Sequence, residues 1–323
     1  MSNRSLIAWC VGVVVSALAT GGQMLALQTP SRPSISIVGA AFDESRKRLV
    51  IVGGSGATVE TWERSGTTWT RRDVPGPSGR DEALLVYDAQ RKRSVLFGGV
   101  LAGKGQNDTW SWDGTRWQPI PSPEAPSARI SASMVYDRKR DRIVLFGGSV
   151  GQTMFGDTWE FDGISWKKRD TPVAPAGRAL HGLAYDEARG RVVLFGGFRF
   201  VAGKPTPFDD TWEWDGTTWH ENKINGVGGR DHVWMAYAPD RRAIVLQGGA
   251  KPDVGLVGDS WAYDGTAWAK LADQGPVRGR HRLVYDTAAK RLLLYGGFGE
   301  NSYRSAELWQ LVGNTWQRAD AER

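Results

Sequence analysis

Apolar residues in this chain come in short bursts rather than long stripes. Within 80–120, the run Ala83-Leu84-Leu85-Val86-Tyr87 stops at Asp88, and a polar, basic stretch (Gln90-Arg91-Lys92-Arg93) follows. Ser94-Val95-Leu96-Phe97 then ends in Gly98-Gly99. A variable loop leads to Asp108-Thr109-Trp110-Ser111-Trp112, then Asp113-Gly114 and Thr115-Arg116-Trp117. Runs of about five residues, β-branched or aromatic and bounded by turn residues, predict strands. None is long enough for the 3.6-residue stripe of an amphipathic helix. The unit is expected to be four short strands, A to D, in an antiparallel meander. Asp113-Gly114 recurs as Asp162-Gly163, Asp215-Gly216 and Asp264-Gly265 and predicts a two-residue type I′ turn between C and D.

The unit repeats. Paired glycines stand at Gly53-Gly54, Gly98-Gly99, Gly147-Gly148, Gly196-Gly197, Gly248-Gly249 and Gly296-Gly297, at spacings of 45, 49, 49, 52 and 48 residues. A fixed period of this length makes the chain an array of one supersecondary unit. Each pair closes strand B, where a glycine-only conformation or a close neighbouring strand explains it. A phosphate cradle would need a following helix, which no repeat supplies. One tryptophan recurs on strand C (Trp62, Trp110, Trp159, Trp212, Trp261, Trp309) and one on strand D (Trp69, Trp117, Trp166, Trp219, Trp268, Trp316). Rings present in every repeat point to packing between units rather than to sugar stacking. Trp112, Trp214 and Trp234 break the period and are candidates for a local role.

Six such units predict an all-β fold, a six-bladed β-propeller of four-stranded antiparallel blades, since radial repetition leaves only short, protected sheet edges. The motif set Val95-Leu96-Phe97-Gly98-Gly99, Asp108-Thr109-Trp110-Ser111-Trp112-Asp113-Gly114 and Trp117 resembles the kelch-repeat family in its bacterial exported form, akin to the central domain of galactose oxidase. The resemblance covers about 32–318. It implies the propeller and, for function, mostly partner binding, with enzymes a minority. The chain opens with strand A and closes with strand D, so each blade is expected to be one contiguous segment with no swapped closing strand.

Arg4, an apolar run 6–19 and the small-residue exit Ala17-Leu18-Ala19 describe a signal peptide (1–19), followed by a linker (20–33), the propeller (34–318) and a tail (319–323). This predicts a secreted or periplasmic protein, with an uncleaved anchor as the alternative. The run is short for a membrane span. Cys10 is the single cysteine and would leave with the signal. No disulfide, thiol or cysteine–metal chemistry is then expected, and copper with a tyrosine–cysteine cross-link is excluded. The net charge of +6 falls to +5 without Arg4. The excess sits in the A–B turns, at Arg46-Lys47-Arg48, Arg91-Lys92-Arg93, Arg138-Lys139-Arg140 and Arg241-Arg242. A solvated rim is the expected reading, an anionic surface the alternative. Nucleic acid is not expected as a partner.

Antiparallel order puts the D–A and B–C loops on one face and the A–B and C–D hairpins on the other. On the first face an arginine recurs at Arg80, Arg129, Arg178, Arg230 and Arg278, with Ile35 in its place in blade one. An acid opens strand C in every blade: Glu60, Asp108, Asp157, Asp210, Asp259 and Glu307. Either each arginine pins a loop through its acid, or several hold a carboxylate or phosphate. Asymmetry lies in the B–C loops, longest at 198–208, and loops on a rigid scaffold carry function. The candidate ligand-binding residues are Arg178, Arg278, His181, His281, Arg199, Phe200, Lys251, Glu300 and Tyr303. No catalytic residue, metal or cofactor is expected, since two matched histidines do not make a metal site. The expected function is a monomeric, non-catalytic binding module holding a protein segment or glycan, possibly anionic. The alternative is a sugar-acting enzyme similar to the periplasmic kelch epimerase of sialic acid, with Arg178 or Arg278 as clamp and Glu300 in acid–base work. Sialidase Asp-boxes place their tryptophan differently, so no sialidase residue is carried over.

Overall fold

The computed structural model describes residues 32–35, 38–224, 226–300 and 303–320. The expected signal peptide and most of the linker lie outside the described residues. The chain forms six four-stranded antiparallel sheets, each in the order A-B-C-D from one contiguous stretch. Blade two, for example, is Leu84–Asp88, Arg93–Phe97, Thr109–Trp112 and Trp117–Pro119. The six A strands are Gly39–Asp43, Leu84–Asp88, Ser133–Asp137, Gly182–Asp186, Trp234–Ala238 and Arg282–Asp286. Each neighbours the next around the axis, and the last touches the first. This is a six-bladed β-propeller. No helix of the described residues is long and apolar enough to cross a membrane.

Strand B is buried almost throughout because it is sandwiched between blades, which is why it reads as a continuous apolar run (Val95-Leu96-Phe97, Val144-Leu145-Phe146). Both members of the glycine pair adopt positive φ in blades two to six, as at Gly98 (62°) and Gly99 (105°). The second also meets the D–A loop. A Cβ on Gly99 would lie 2.9 Å from the Asp81 carbonyl oxygen. Gly99→Ala is expected to cost about 2–3 kcal/mol in chemical denaturation. Gly103→Ala, at φ 75° with nothing within 4 Å, isolates the backbone strain alone at about 1 kcal/mol. Equal losses at the two sites would show that close packing contributes nothing.

Tryptophans latch neighbouring blades together. The indole N–H of Trp117, Trp166, Trp219 and Trp268 donates at 2.9 Å to the threonine hydroxyl on strand C of the preceding blade, and Trp316 donates to Ser260 in the same way. In blade six that hydroxyl position is Leu308, so Trp69 instead tilts against Tyr295 at 5.9 Å. The blade-one/blade-six seam closes through an apolar cluster that includes Val38, Ile51, Trp62, Leu293 and Tyr295. Two bonds across it run from Tyr295 to the Ile35 carbonyl (2.9 Å) and from Arg64 to the Ala319 carbonyl (3.3 Å).

Two of the period-breaking tryptophans are a second latch. Glu63 is fully buried and accepts Arg72 Nη2 (2.7 Å) and Nε (3.0 Å), Arg46, and Trp112 Nε1 of the next blade (3.0 Å). Glu160 does the same for Arg140, Arg169 and Trp214 (3.1 Å). Two expectations change here. The A–B runs are not wholly solvated: Arg46, Arg91 and Arg140 fold inward onto Asp43, Asp88 and Asp137, leaving Lys47, Lys92 and Lys139 exposed. The Asp-Gly turn is not type I′, because only the glycine has positive φ. Asp113 instead caps the turn, its carboxylate accepting the N–H of Thr115 (2.8 Å) and Arg116 (2.9 Å).

Candidate functional site

The recurring arginines are scaffold. Arg129 bonds Asp157 through both terminal nitrogens (2.6 and 3.0 Å) and the Gly147 carbonyl (3.0 Å). Arg80–Asp108, Arg178–Asp210 and Arg230–Asp259 repeat this arrangement, and Arg278 reaches Glu307 at 2.7 Å. The same acid accepts the strand C tryptophan, as Asp157 does from Trp159 at 2.7 Å. The bidentate fork therefore ties the D–A loop, the end of strand B and the start of strand C at one point. Arg178 is fully buried and lies 3.7 Å over the Phe208 ring. Its guanidinium bonds Asp210 and the Gly196 carbonyl of its own blade.

His181 and His281 are also interior. They occupy the position held by Ala83, Ala132 and Val233 in other blades and are 1% and 0% exposed. Among the described residues no ring nitrogen of either has a hydrogen-bond partner. Burial, with Arg178 beside it, pushes the His181 pKa down to about 3. Burial, with Arg282 and Arg278 nearby, does the same for His281. Arg199 and Phe200 do stand on the outer face, on the hairpin Phe198–Val201 and Lys204–Pro207, with Phe200 edge-on to Phe198. Lys251 sits 3.5 Å from Asp259. Glu300 and Tyr303 are exposed on the blade-six loop, Tyr303 by 66%. These five stay on three separate loops, in blades four, five and six.

What lies at the centre of this face is a column of residues two positions after each ring arginine: Glu82, Ser131, Leu180, His232 and Arg280. All five have left-handed φ (57, 57, 57, 57 and 53°) although none is glycine. The blade-one equivalent, Ile37, lies outside the described residues. Left-handed backbone at such side chains costs on the order of 1 kcal/mol each, and hydrogen bonds between blades hold it: Leu180 N–H to the Ser131 carbonyl (3.0 Å) and Arg280 N–H to the His232 carbonyl (3.4 Å). Geometry repeats in this column but chemistry does not. Arg280 reaches from blade six to Glu82 of blade two, and Ser131 donates to the other Glu82 oxygen at 3.3 Å. His232 engages Asp231 through Nδ1, which turns Nε2 away from that carboxylate. The ring of Phe298 stands edge-on to His232 at 5.5 Å.

The opposite face offers a larger opening. An axial channel of about 460 Å³ is lined by A-strand residues of all six blades and by Glu44, Arg138 and Glu187, which follow those strands. Arg138 spans its mouth, bonding Glu44 of blade one (2.5 Å) and Glu187 of blade four (3.3 Å). Arg138 bridges the two acids, and the three groups together carry one net negative charge. The rest of the lining is the repeated strand wall with its column of Phe42, Tyr87, Tyr136, Tyr185, Tyr237 and Tyr285. Volume favours this channel. Asymmetry and unequal loops favour the other mouth, and asymmetry is what a selective site requires. Among the described residues no group of three or more His, Cys, Asp or Glu is placed to hold a metal ion.

No known family matches the sequence, and no curated protein matches it. Among solved structures the chain superposes on YjhT with a TM-score of 0.67 at 14% identity, covering 90% of this chain and 98% of that one. At that identity the likeness concerns the fold.

Proposed function

We propose that this chain is an exported, kelch-type propeller that binds the end of a glycan or an extended peptide at the axial mouth formed by its D–A and B–C loops. The observation that supports this most is the Glu82, Ser131, Leu180, His232 and Arg280 column, five different side chains held at one backbone geometry on the axis. Around it, Phe198, Phe200, Phe298 and Tyr303 supply aromatic surface on unequal loops, suited to stacking on sugar or side-chain faces. Glycan and peptide arrays probed with labelled protein would identify a ligand. His232→Ala and Arg280→Ala are then expected to weaken binding roughly 10- to 100-fold with melting temperature nearly unchanged. Loss of binding on Arg138→Ala instead, with both of those variants unaffected, would move the site to the other face.

One observation favours a sugar-acting enzyme as second reading: the Asp231–His232 pair beside Glu82 has the makings of an acid–base set. Magnetisation exchange between the anomers of reducing sugars, acidic ones included, tests it. An exchange rate unchanged by the protein rejects catalysis and leaves the binding reading in place.

A further inference from the structure

We infer that a monatomic anion of halide size sits on the propeller axis beneath the Glu82–Arg280 pair, held by the buried guanidinium of Arg282. Arg282 opens strand A of blade six, is 5% exposed, and lies 4.1 Å over the ring of Trp234. The ring arginines Arg80, Arg129, Arg178 and Arg230, equally buried, each hold a carboxylate through both terminal nitrogens. Among the described residues Arg282 has no such partner. Its hydrogen bonds run from Nη1 alone, to the carbonyls of Arg280 (3.3 Å) and His281 (3.2 Å). Glu82 offsets its charge only at a distance, because one Glu82 oxygen is taken by Arg280 and the other by Ser131.

An uncompensated buried cation is strongly unfavourable. Burial pushes the Arg282 pKa down to about 10, with Glu82 opposing the shift and Arg280 adding to it, so the group stays charged at neutral pH. A counter-ion is the direct remedy, and there is space for one. Arg282, Arg280, Glu82, His232, Ser131 and Trp234 help line a narrow, partly closed cavity of about 30 Å³. That holds one or two bodies of water size. A carboxylate or phosphate is too large, which leaves chloride or a similar ion. Among the described residues that line the cavity, Arg282 and Arg280 are the fixed positive charges and Glu82 is the one acid. This site stands whether or not the mouth above it binds a glycan.

Thermal unfolding at pH 7.5 in sodium chloride and in sodium gluconate of equal ionic strength tests it. Wild type is expected to melt about 2–5 °C higher in chloride, saturably, and Arg282→Met is expected to lose that difference. Crystals of the wild-type protein grown in sodium bromide are expected to show an anomalous peak beside Arg282, a measurement that does not depend on the variant folding. Equal melting in the two salts, a chloride effect that persists in Arg282→Met, or a cavity that holds only water in bromide crystals would each overturn the proposal.

Discussion

Between pH 7.5 and pH 5 the fold is expected to lose about 4 kcal/mol of stability through two histidines alone. Folded, His181 and His281 stay neutral down to about pH 3; unfolded, each takes up a proton below about pH 6.5. Between those values the unfolded chain binds more protons, so stability rises with pH and is lost as pH falls. Each histidine accounts for about 2 kcal/mol by pH 5, and more toward pH 3. The carboxylates add to the acid limb later. Asp157, Asp259 and Glu63 are held below their ordinary values by arginine and tryptophan donors against the opposing effect of burial, so their contribution is lost only as pH falls through those lowered values. A double variant, His181→Ala with His281→Val, installs what other blades carry at this position. Urea unfolding of wild type and variant at pH 7.5 and pH 5 separates the histidines from everything else. The stability difference between the two proteins should shift by about 4 kcal/mol toward the variant at pH 5. An unchanged difference at the two pH values would mean the rings find proton acceptors in the fold.

Replacing Glu63 with leucine is expected to cost about 3–5 kcal/mol and lower the melting temperature by roughly 10 °C. The carboxylate is fully buried and serves three donors, Arg46, Arg72 and Trp112. Removing it strands the Arg72 guanidinium and the Trp112 indole N–H between blades one and two, and leaves Arg46 with Asp43 alone. Trp112→Phe removes one neutral donor and keeps the ring volume, so it should cost only about 1–2 kcal/mol. In the double variant the two losses should add to less than their sum, because the indole has already lost its acceptor. Calorimetry of the four proteins checks this. Full additivity would mean that Glu63 and Trp112 do not act on each other.

The propeller was legible because its physics is periodic. The glycine pairs mark the end of every strand B, and the alternation of short apolar runs with turns sets four strands per period. The ring arginines and their acids could also be found by their spacing, and the structure shows why they recur: each fork ties three segments of one blade. Other features were hidden for reasons that can be named. The Asp-Gly pair looks like a type I′ turn, yet the Asp113 carboxylate finds backbone donors and keeps its own φ negative. His181 and His281 looked polar and available, but they fill alanine and valine positions between blades. The axial column escaped because Glu82, Ser131, Leu180, His232 and Arg280 share a backbone angle and no residue type. A search for what recurs passes over such a column. A search for fixed offsets whose residue varies, here two after each ring arginine, would have found it. Trp234, singled out by breaking the period, does lie next to that column, beneath Arg282.

The seam between the first and last blades also governs how the ring comes together. Tyr295 and Ile35, bonded across it, are 260 residues apart. Joining two points that distant in a flexible chain costs about 5 kcal/mol in loop entropy, and the side-chain contacts there repay it only when both blades are already formed. Blades built in sequence lower that cost, since each stacked neighbour brings the two ends nearer around the circle. Closure is therefore expected as the last event of assembly and opening as the first of disassembly. A permuted chain whose ends lie between blades three and four would turn the present clasp into an interface bridged by covalent chain, and would move the point of opening to the far side of the ring.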